Sequence, residues 1–299
     1  MLVVKTYRAD VELVARLMGS IRRYNREDIP VYLIVPSDDV TLFTERFDGT
    51  SIIDEAVFAL PALREPVEDL STGYIDQQCV KLSLHQLGLA KNYFVVDSDC
   101  YFIRDFFYSD FVNEDGIGYS VLGEEKDRFL APWYQSHAAY HLERTDKIAD
   151  YFELPRYPRR SSHGNVVLLS SVLAAFEQWR KDQGVDLEDL MHIAPLEFSW
   201  YNFYLQRYHA DQIIAVEPFI KAVHTSGQFR SMLRDGYTTR VLAKGYVGVS
   251  LNSSWAGGNP LRAVQKLERG SRVAKVMNLL ARVWDYAAKR ARLARQGRN

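Results

Sequence analysis

Residues 93 to 100 read YFVVDSDC, an apolar run that ends in Asp97 and Asp99, two aspartates one residue apart. Two carboxylates at i and i+2 on an extended or turning segment converge on one hard cation, above all when phosphate oxygens supply the remaining ligands. The same pair also occurs in solvated loops at strand ends. Here the preceding run is too apolar for an exposed edge strand, so the aspartates are expected at the tip of a buried one. An EF-hand loop starting at Asp97 is excluded, because its sixth position, which needs glycine for a sharp turn, is Phe102.

The elements that must carry this pair are legible on either side of it. Residues 2 to 6 (LVVKT) read as a strand, and Val11, Val14, Leu17, Met18 and Ile21 recur at helical spacing. Pro30 then precedes a second strand, VYLIV at 31 to 35, which makes a β-α-β unit with a parallel sheet. Ser37-Asp38-Asp39 follows at the carboxyl end, where open α/β sheets place ligands. The segment 74 to 89, YIDQQCVKLSLHQLGL, carries two apolar stripes and reads as a well-buried helix. Further strands are expected in 117–122, 166–170 and 213–216, and helices over 171–182 and 197–208. The expected architecture is one α/β domain with a mixed sheet over 1–258, then a helical appendage over 259–299 after Gly257-Gly258-Asn259-Pro260.

Charge is unevenly spread. Residues 261 to 299 hold 11 Lys/Arg and 2 Asp/Glu, leaving 26 basic against 36 acidic residues in the body. The acidic body argues against nucleic acid as a partner. MLVVKTYRAD has four apolar residues before Lys5, short of a signal peptide, and no stretch reaches the ~18 apolar residues of a membrane span. A soluble, cytoplasmic protein is expected. Cys79 and Cys100 fit neither a disulfide framework nor a zinc spacing.

The longer stretch NYFVVDSDCYFIRDF, 92 to 106, resembles the D-x-D region of GT-A-fold glycosyltransferases. That region runs from an apolar strand through D-x-D and two or three apolar residues, here Tyr101, Phe102 and Ile103, into a charged turn, here Arg104-Asp105. The resemblance implies a GT-A (Rossmann-like) mixed sheet flanked by helices, with Mn²⁺ or Mg²⁺ held against the diphosphate of a nucleotide sugar. Asp99 would then be a direct ligand, Asp97 would bind metal or the donor's ribose, and Ser98 would lie against the donor. Relatives such as glycogenin and the lipopolysaccharide galactosyltransferases complete the metal shell with a late histidine in H-x-x-G, a pattern matched here by His224 and Gly227. Their Lys-Pro-Trp continuation is replaced by Gln228-Phe229-Arg230, so the histidine alone carries over. They also carry a basic residue on a helix over the donor; Lys81 stands sixteen positions before Asp97, with Gln77 one turn ahead of it. GYIDQQCVKL (73–82) and PLEFSWYNFYL (195–205) are similar to segments of a little-characterised bacterial glycosyltransferase-like group, and the resemblance as a whole spans about 1–230.

The chemistry implied is metal-dependent sugar transfer from a UDP- or GDP-linked donor to a glycan or lipid-linked acceptor, in bacterial surface polysaccharide synthesis. A cation there meets the charge that builds on the departing diphosphate. Mn²⁺ suits a mixed carboxylate and imidazole shell better than Mg²⁺ does. If configuration inverts, a carboxylate must take the acceptor proton, and Glu197, opening an aromatic-rich helix after Pro195, is the candidate; the same glutamate also suits a helix dipole. Trp200 is either a sugar platform or core. His163 and Gly164, in the polar loop RRSSHGNVV, are placed on the acceptor side, and Thr6, Tyr7 and Asp38 at the base and ribose.

Three rivals stay open. A phosphoaspartyl phosphatase also puts D-x-D after an apolar strand, a nucleotidyltransferase shares the sheet and carboxylates, and a non-catalytic sugar-nucleotide or glycan binder would keep the fold. The phosphatase motif lies near the N-terminus and is followed by threonine, unlike Cys100-Tyr101, and VVKTYRADVELV lacks the glycine-rich loop that holds a triphosphate. In the tail, Val276, Leu280, Val283, Trp284 and Ala287 fall on one helical face with Lys275, Arg282, Lys289 and Arg292 off it. That pattern fits either peripheral contact with the inner face of a membrane or a terminal helix docked on the body.

Overall fold

The computed structural model describes residues 1–61, 63–123, 131, 135–156, 164–252 and 260–270. Strand β1 (Leu2–Lys5) is buried along its whole length, and α1 (Val11–Tyr24) lays Leu13, Val14, Leu17, Met18 and Ile21 inward. The chain returns as β2 (Val31–Val35), parallel to β1 with Leu2 opposite Val31, as the β-α-β pattern requires. Helix α2 (Val40–Arg46) leads to β3 (Ser51–Asp54), parallel to β2. Helix α3 (Thr72–Leu82) leads to β4 (Asn92–Val95), parallel to β1 with Leu2 opposite Phe94.

After β4 come β5 (Cys100–Phe102), β6 (Ser120–Val121), α4 (Gln135–Tyr151) and β7 (Val167–Leu169). The central sheet runs β3-β2-β1-β4-β7, parallel except for β7. That one reversal matters for the site. The carboxyl ends of β1 to β4 share an edge, and an antiparallel β7 brings its own entry, residues 164–166, to the same edge beside Asp97.

Helices α5 (Ser170–Gln183), α6 (Leu187–Ile193) and α7 (Glu197–Tyr208) follow, then β8 (Ala215–Val216), β9 (Ile220–Val223), α8 (Ser226–Arg234), α9 (Thr239–Leu242), β10 (Gly248–Leu251) and α10 (Pro260–Arg269). Strand β10 pairs antiparallel with β5 in a three-stranded sheet, and β6 pairs with β8. The chain forms two compact units, Met1–Ala222 with Tyr246–Ser250, and Val223–Gly245 with the residues from Leu251. The boundary expected at 258/259 lies outside the described residues.

Several expected elements come out shorter. The helix expected over 74–89 stops at Leu82: Ser83 turns its hydroxyl back to the Cys79 carbonyl at 2.9 Å, a 3-10 turn follows, and Gly88 ends it at φ +62°. The strand expected over 117–122 shrinks to Ser120–Val121.

Candidate functional site

Strand β4 ends at Val95, and its buried neighbour Val96 leads into Asp97-Ser98-Asp99. The turn is held from three sides. Asn165, in the left-handed region at φ 67°, accepts the Asp97 backbone N–H at 2.9 Å and the Cys100 thiol at 2.9 Å on one side-chain oxygen. Ser98 donates to Asp10 Oδ2 at 2.6 Å, tying the turn to the start of α1. From β10, Ser250 donates to Asp99 Oδ1 at 2.9 Å.

Lys81 is the centre of charge. It is 5% exposed, and its ammonium sits 3.0 Å from Asp97 Oδ1 and 2.9 Å from Glu197 Oε1, over the ring of Phe198. Burial alone would lower its pKa, but the Asp97 and Glu197 charges and hydrogen bonds prevail and raise it. Glu197 opens α7, and its own backbone N–H donates to Gln78 Oε1 at 3.2 Å. Helical spacing explains this, since Tyr74, Gln78 and Lys81 stand at i, i+4 and i+7 on one face of α3. Nearby, burial pushes the Asp10 carboxyl up, the Ser98 hydrogen bond opposes it, and the Asp97 charge adds to the rise. Arg16 of α1 has three buried guanidinium nitrogens without hydrogen-bond partners and sits over the Tyr101 ring. Burial lowers its pKa against the pull of Tyr101 and Asp99.

The other residues expected at the site fall as follows. Thr6 is buried past the end of β1 with its hydroxyl unpartnered, and Tyr7 beside it is half exposed. Asp38 is exposed; its neighbour Asp39 is buried and fixed by the Arg8 backbone N–H at 2.7 Å. Gln77 is half-buried, and it is Gln78 that reaches Glu197. Gly164 packs on Asp97 so closely that a Cβ there would lie 2.7 Å from Asp97 Oδ2. His163 and the tail from residue 271 lie outside the described residues. His224 belongs to the second unit, where its backbone N–H donates to Gln228 Oε1 at 2.7 Å.

Trp200 is corrected: it is 0% exposed, donates its indole N–H to the Ala194 carbonyl at 2.8 Å, and packs on Tyr151 and Phe152. It presents no face to a sugar, because every residue from Glu197 to Leu205 is buried and α7 runs through the core. Asn165 and Ser250 were missed. The Gly164-Asn165 dipeptide is a turn signal whose left-handed preference points to Asn165, whereas Ser250 has no local signal.

The donor set at the turn is two carboxylates, whose hard oxygens fit Mn²⁺ or Mg²⁺ with phosphate and water oxygens completing the shell. Among the described residues no three His, Cys, Asp or Glu side chains are grouped to hold a metal ion.

The mixed α/β sheet flanked by helices matches the fold of solved glycosyltransferases. The apo structure of the bifunctional glycosyltransferase WbbM matches at a TM-score of 0.51 and 10% identity, over 93% of this chain and 51% of that one, so the chain spans about half of WbbM. The apo structure of mouse xyloside xylosyltransferase 1 matches at a TM-score of 0.49 and 10% identity, over 85% of this chain and 97% of that one. By sequence, the chain belongs to the family described as "Family of unknown function (DUF6492)", which it matches over residues 2–229. No curated protein matches it.

Proposed function

We propose that the protein is a metal-dependent glycosyltransferase that moves a sugar from a UDP- or GDP-linked donor to a glycan or lipid-linked acceptor in bacterial surface polysaccharide or glycolipid synthesis. The observation that carries this reading is the Asp97-Ser98-Asp99 turn at the carboxyl edge of a glycosyltransferase sheet, fixed by Lys81, Asn165 and Ser250. Asp97 and Asp99 would hold Mn²⁺ or Mg²⁺, and the ion would neutralise charge on the departing nucleoside diphosphate.

The chain's own residues supply the rest. Lys81 joins Asp97 and Glu197 through one buried cation, which fixes both carboxylates before substrate arrives. Glu197 is the proposed base: a carboxylate held by Lys81 beside the D-x-D turn can take the proton of an acceptor hydroxyl in an inverting transfer. Thr6, Tyr7 and Asp38, at the carboxyl ends of β1 and β2, are proposed to contact base and ribose. The excess of 11 basic over 2 acidic residues in 261–299 would draw the enzyme to anionic lipid at the inner face of the membrane.

The test is donor hydrolysis. Purified protein incubated with a panel of UDP- and GDP-sugars should release nucleoside diphosphate when Mn²⁺ is present, and Asp99→Ala should abolish the release. No release from any donor, or equal release by the variant, would overturn the assignment.

A further inference from the structure

Charge in this protein is divided by structural unit. Val223–Gly245 and the residues from Leu251 hold 15 of the 37 Lys/Arg and 3 of the 38 Asp/Glu, so the basic excess begins well before the tail. The other unit is acidic, with 22 basic against 35 acidic residues.

Local structure puts part of that charge on one surface. Gly236, at φ 85°, turns the chain out of α8, and the Tyr237 N–H donates back to the Met232 carbonyl at 2.9 Å. Thr238 caps α9, its hydroxyl accepting the Val241 N–H at 3.2 Å. Helix α9 packs on α10. Leu242 of α9 and Ala263, Val264 and Leu267 of α10 are buried, which leaves the charged side chains outward. Lys266 and Arg269 stand exposed at i and i+3 on α10, and Arg240 and Lys244 stand exposed on α9 and just past its end. Among the described residues none of these four cations has an ion-pair partner. Two apolar side chains are exposed in the same stretch, Tyr237 at 41% and Val241 at 44%, around one helical turn about 6 Å long.

We infer that α9 and α10 form a membrane-docking surface, on which Arg240, Lys244, Lys266 and Arg269 meet anionic lipid headgroups while Tyr237 and Val241 enter the interfacial layer. Unpaired cations interleaved with an exposed tyrosine and an aliphatic side chain match a bilayer interface on both counts. A nucleic acid would use the charges and leave Val241 without a partner. The inference extends the reading of a lipid-drawn tail into the folded unit, and it does not depend on sugar transfer.

Co-sedimentation of the full chain with vesicles tests it, using phosphatidylcholine alone and phosphatidylcholine mixed with phosphatidylglycerol. The protein should bind the mixed vesicles and not the neutral ones. Arg240→Gln/Lys244→Gln should lower the affinity about twentyfold, at about fivefold per charge. Tyr237→Ser/Val241→Ser should lower it about tenfold. All substituted positions are exposed, so the circular dichroism spectrum should stay unchanged. The inference is overturned if the mixed vesicles are not bound, if neutral vesicles bind equally, or if either double variant keeps wild-type affinity. Lys289→Gln/Arg292→Gln isolates the tail: loss there, with both α9 variants binding as wild type, removes the α9–α10 surface and leaves the tail as the anchor. A DNA oligonucleotide bound more tightly than the mixed vesicles would overturn it in favour of nucleic acid. Titration with UDP or GDP and Mn²⁺ keeps the two readings apart. Nucleotide binding without vesicle binding removes the docking surface alone, and vesicle binding without nucleotide binding removes the transfer reaction alone.

Discussion

Replacing Lys81 with Met removes a cation while keeping most of its stem. The ammonium is 6% exposed and lies between carboxylates whose side chains are 35% exposed (Asp97) and 11% exposed (Glu197). Its pKa is raised above 10.5, despite burial, by Asp97 and Glu197. A raised lysine contributes its full stability at all pH below the unfolded value and loses it only as pH climbs through the folded one. Wild type should therefore show no Lys81-dependent loss between about pH 5 and 9. In Lys81→Met, Glu197 keeps a buried charge without a counter-ion, and removing one partner of such a pair costs about 3–5 kcal/mol. The Asp97 share is screened by solvent, so a loss of about 3 kcal/mol is expected. The loss at pH 7 should shrink at acid pH, as protonation relieves the stranded carboxylate. Lys81→Met/Glu197→Gln, which removes both charges, should recover most of it. Urea denaturation followed by tryptophan fluorescence at both pH values reads all three quantities. A loss under about 1 kcal/mol, or a double variant no more stable than the single one, would refute the reasoning.

Other outcomes follow from the same contacts. Asn165→Ala removes the acceptor of two hydrogen bonds and leaves alanine at φ 67°, so denaturation should show a loss of about 2–3 kcal/mol; wild-type stability would count against Asn165 as the holder of the turn. Gly164→Ala places a Cβ 2.7 Å from Asp97 Oδ2, so calorimetry should find metal-dependent nucleotide affinity about tenfold weaker with the fold intact; unchanged affinity would show that Asp97 can shift freely. Far from the site, burial pushes the Glu177 carboxyl up, but hydrogen bonds from Lys181, His85 and Gln86 prevail and bring it down to about 2. A depressed carboxylate contributes stability above its unfolded value near 4.5 and loses it as pH falls toward 2. Glu177→Gln should thus lose about 1–2 kcal/mol at pH 7, the pairing with exposed Lys181 being screened, and flatten the acid limb between those values; an unchanged limb would contradict the assignment.

The parts of this fold legible in the sequence are those specified locally. Strand β2 and helix α7 fall where apolar runs and the Pro195-Leu196-Glu197 start place them, and the D-x-D turn was marked by the run that buries β4. Strands β5 and β10 left no signal, because three or four residues are too few to show alternation and their pairing spans about 150 positions of chain. Asp99 and Ser250 meet only through that pairing. Lys81 and Asp97 were linked by spacing on the chain, but Glu197, the second partner, lies 116 residues from Lys81 and is brought in by packing of α7 on α3. The aromatic count of α7 suggested a sugar platform, yet a helix buried on all sides puts its rings in the core.

The central claim is that Asp99 anchors a metal-dependent nucleotide site at the end of β4. The direct measurement is calorimetric titration with UDP and with GDP, each with and without Mn²⁺, on wild type and Asp99→Ala. At least one nucleotide should bind wild type only with Mn²⁺ and should not bind the variant. Binding that is indifferent to Mn²⁺, or equal in Asp99→Ala, would contradict it.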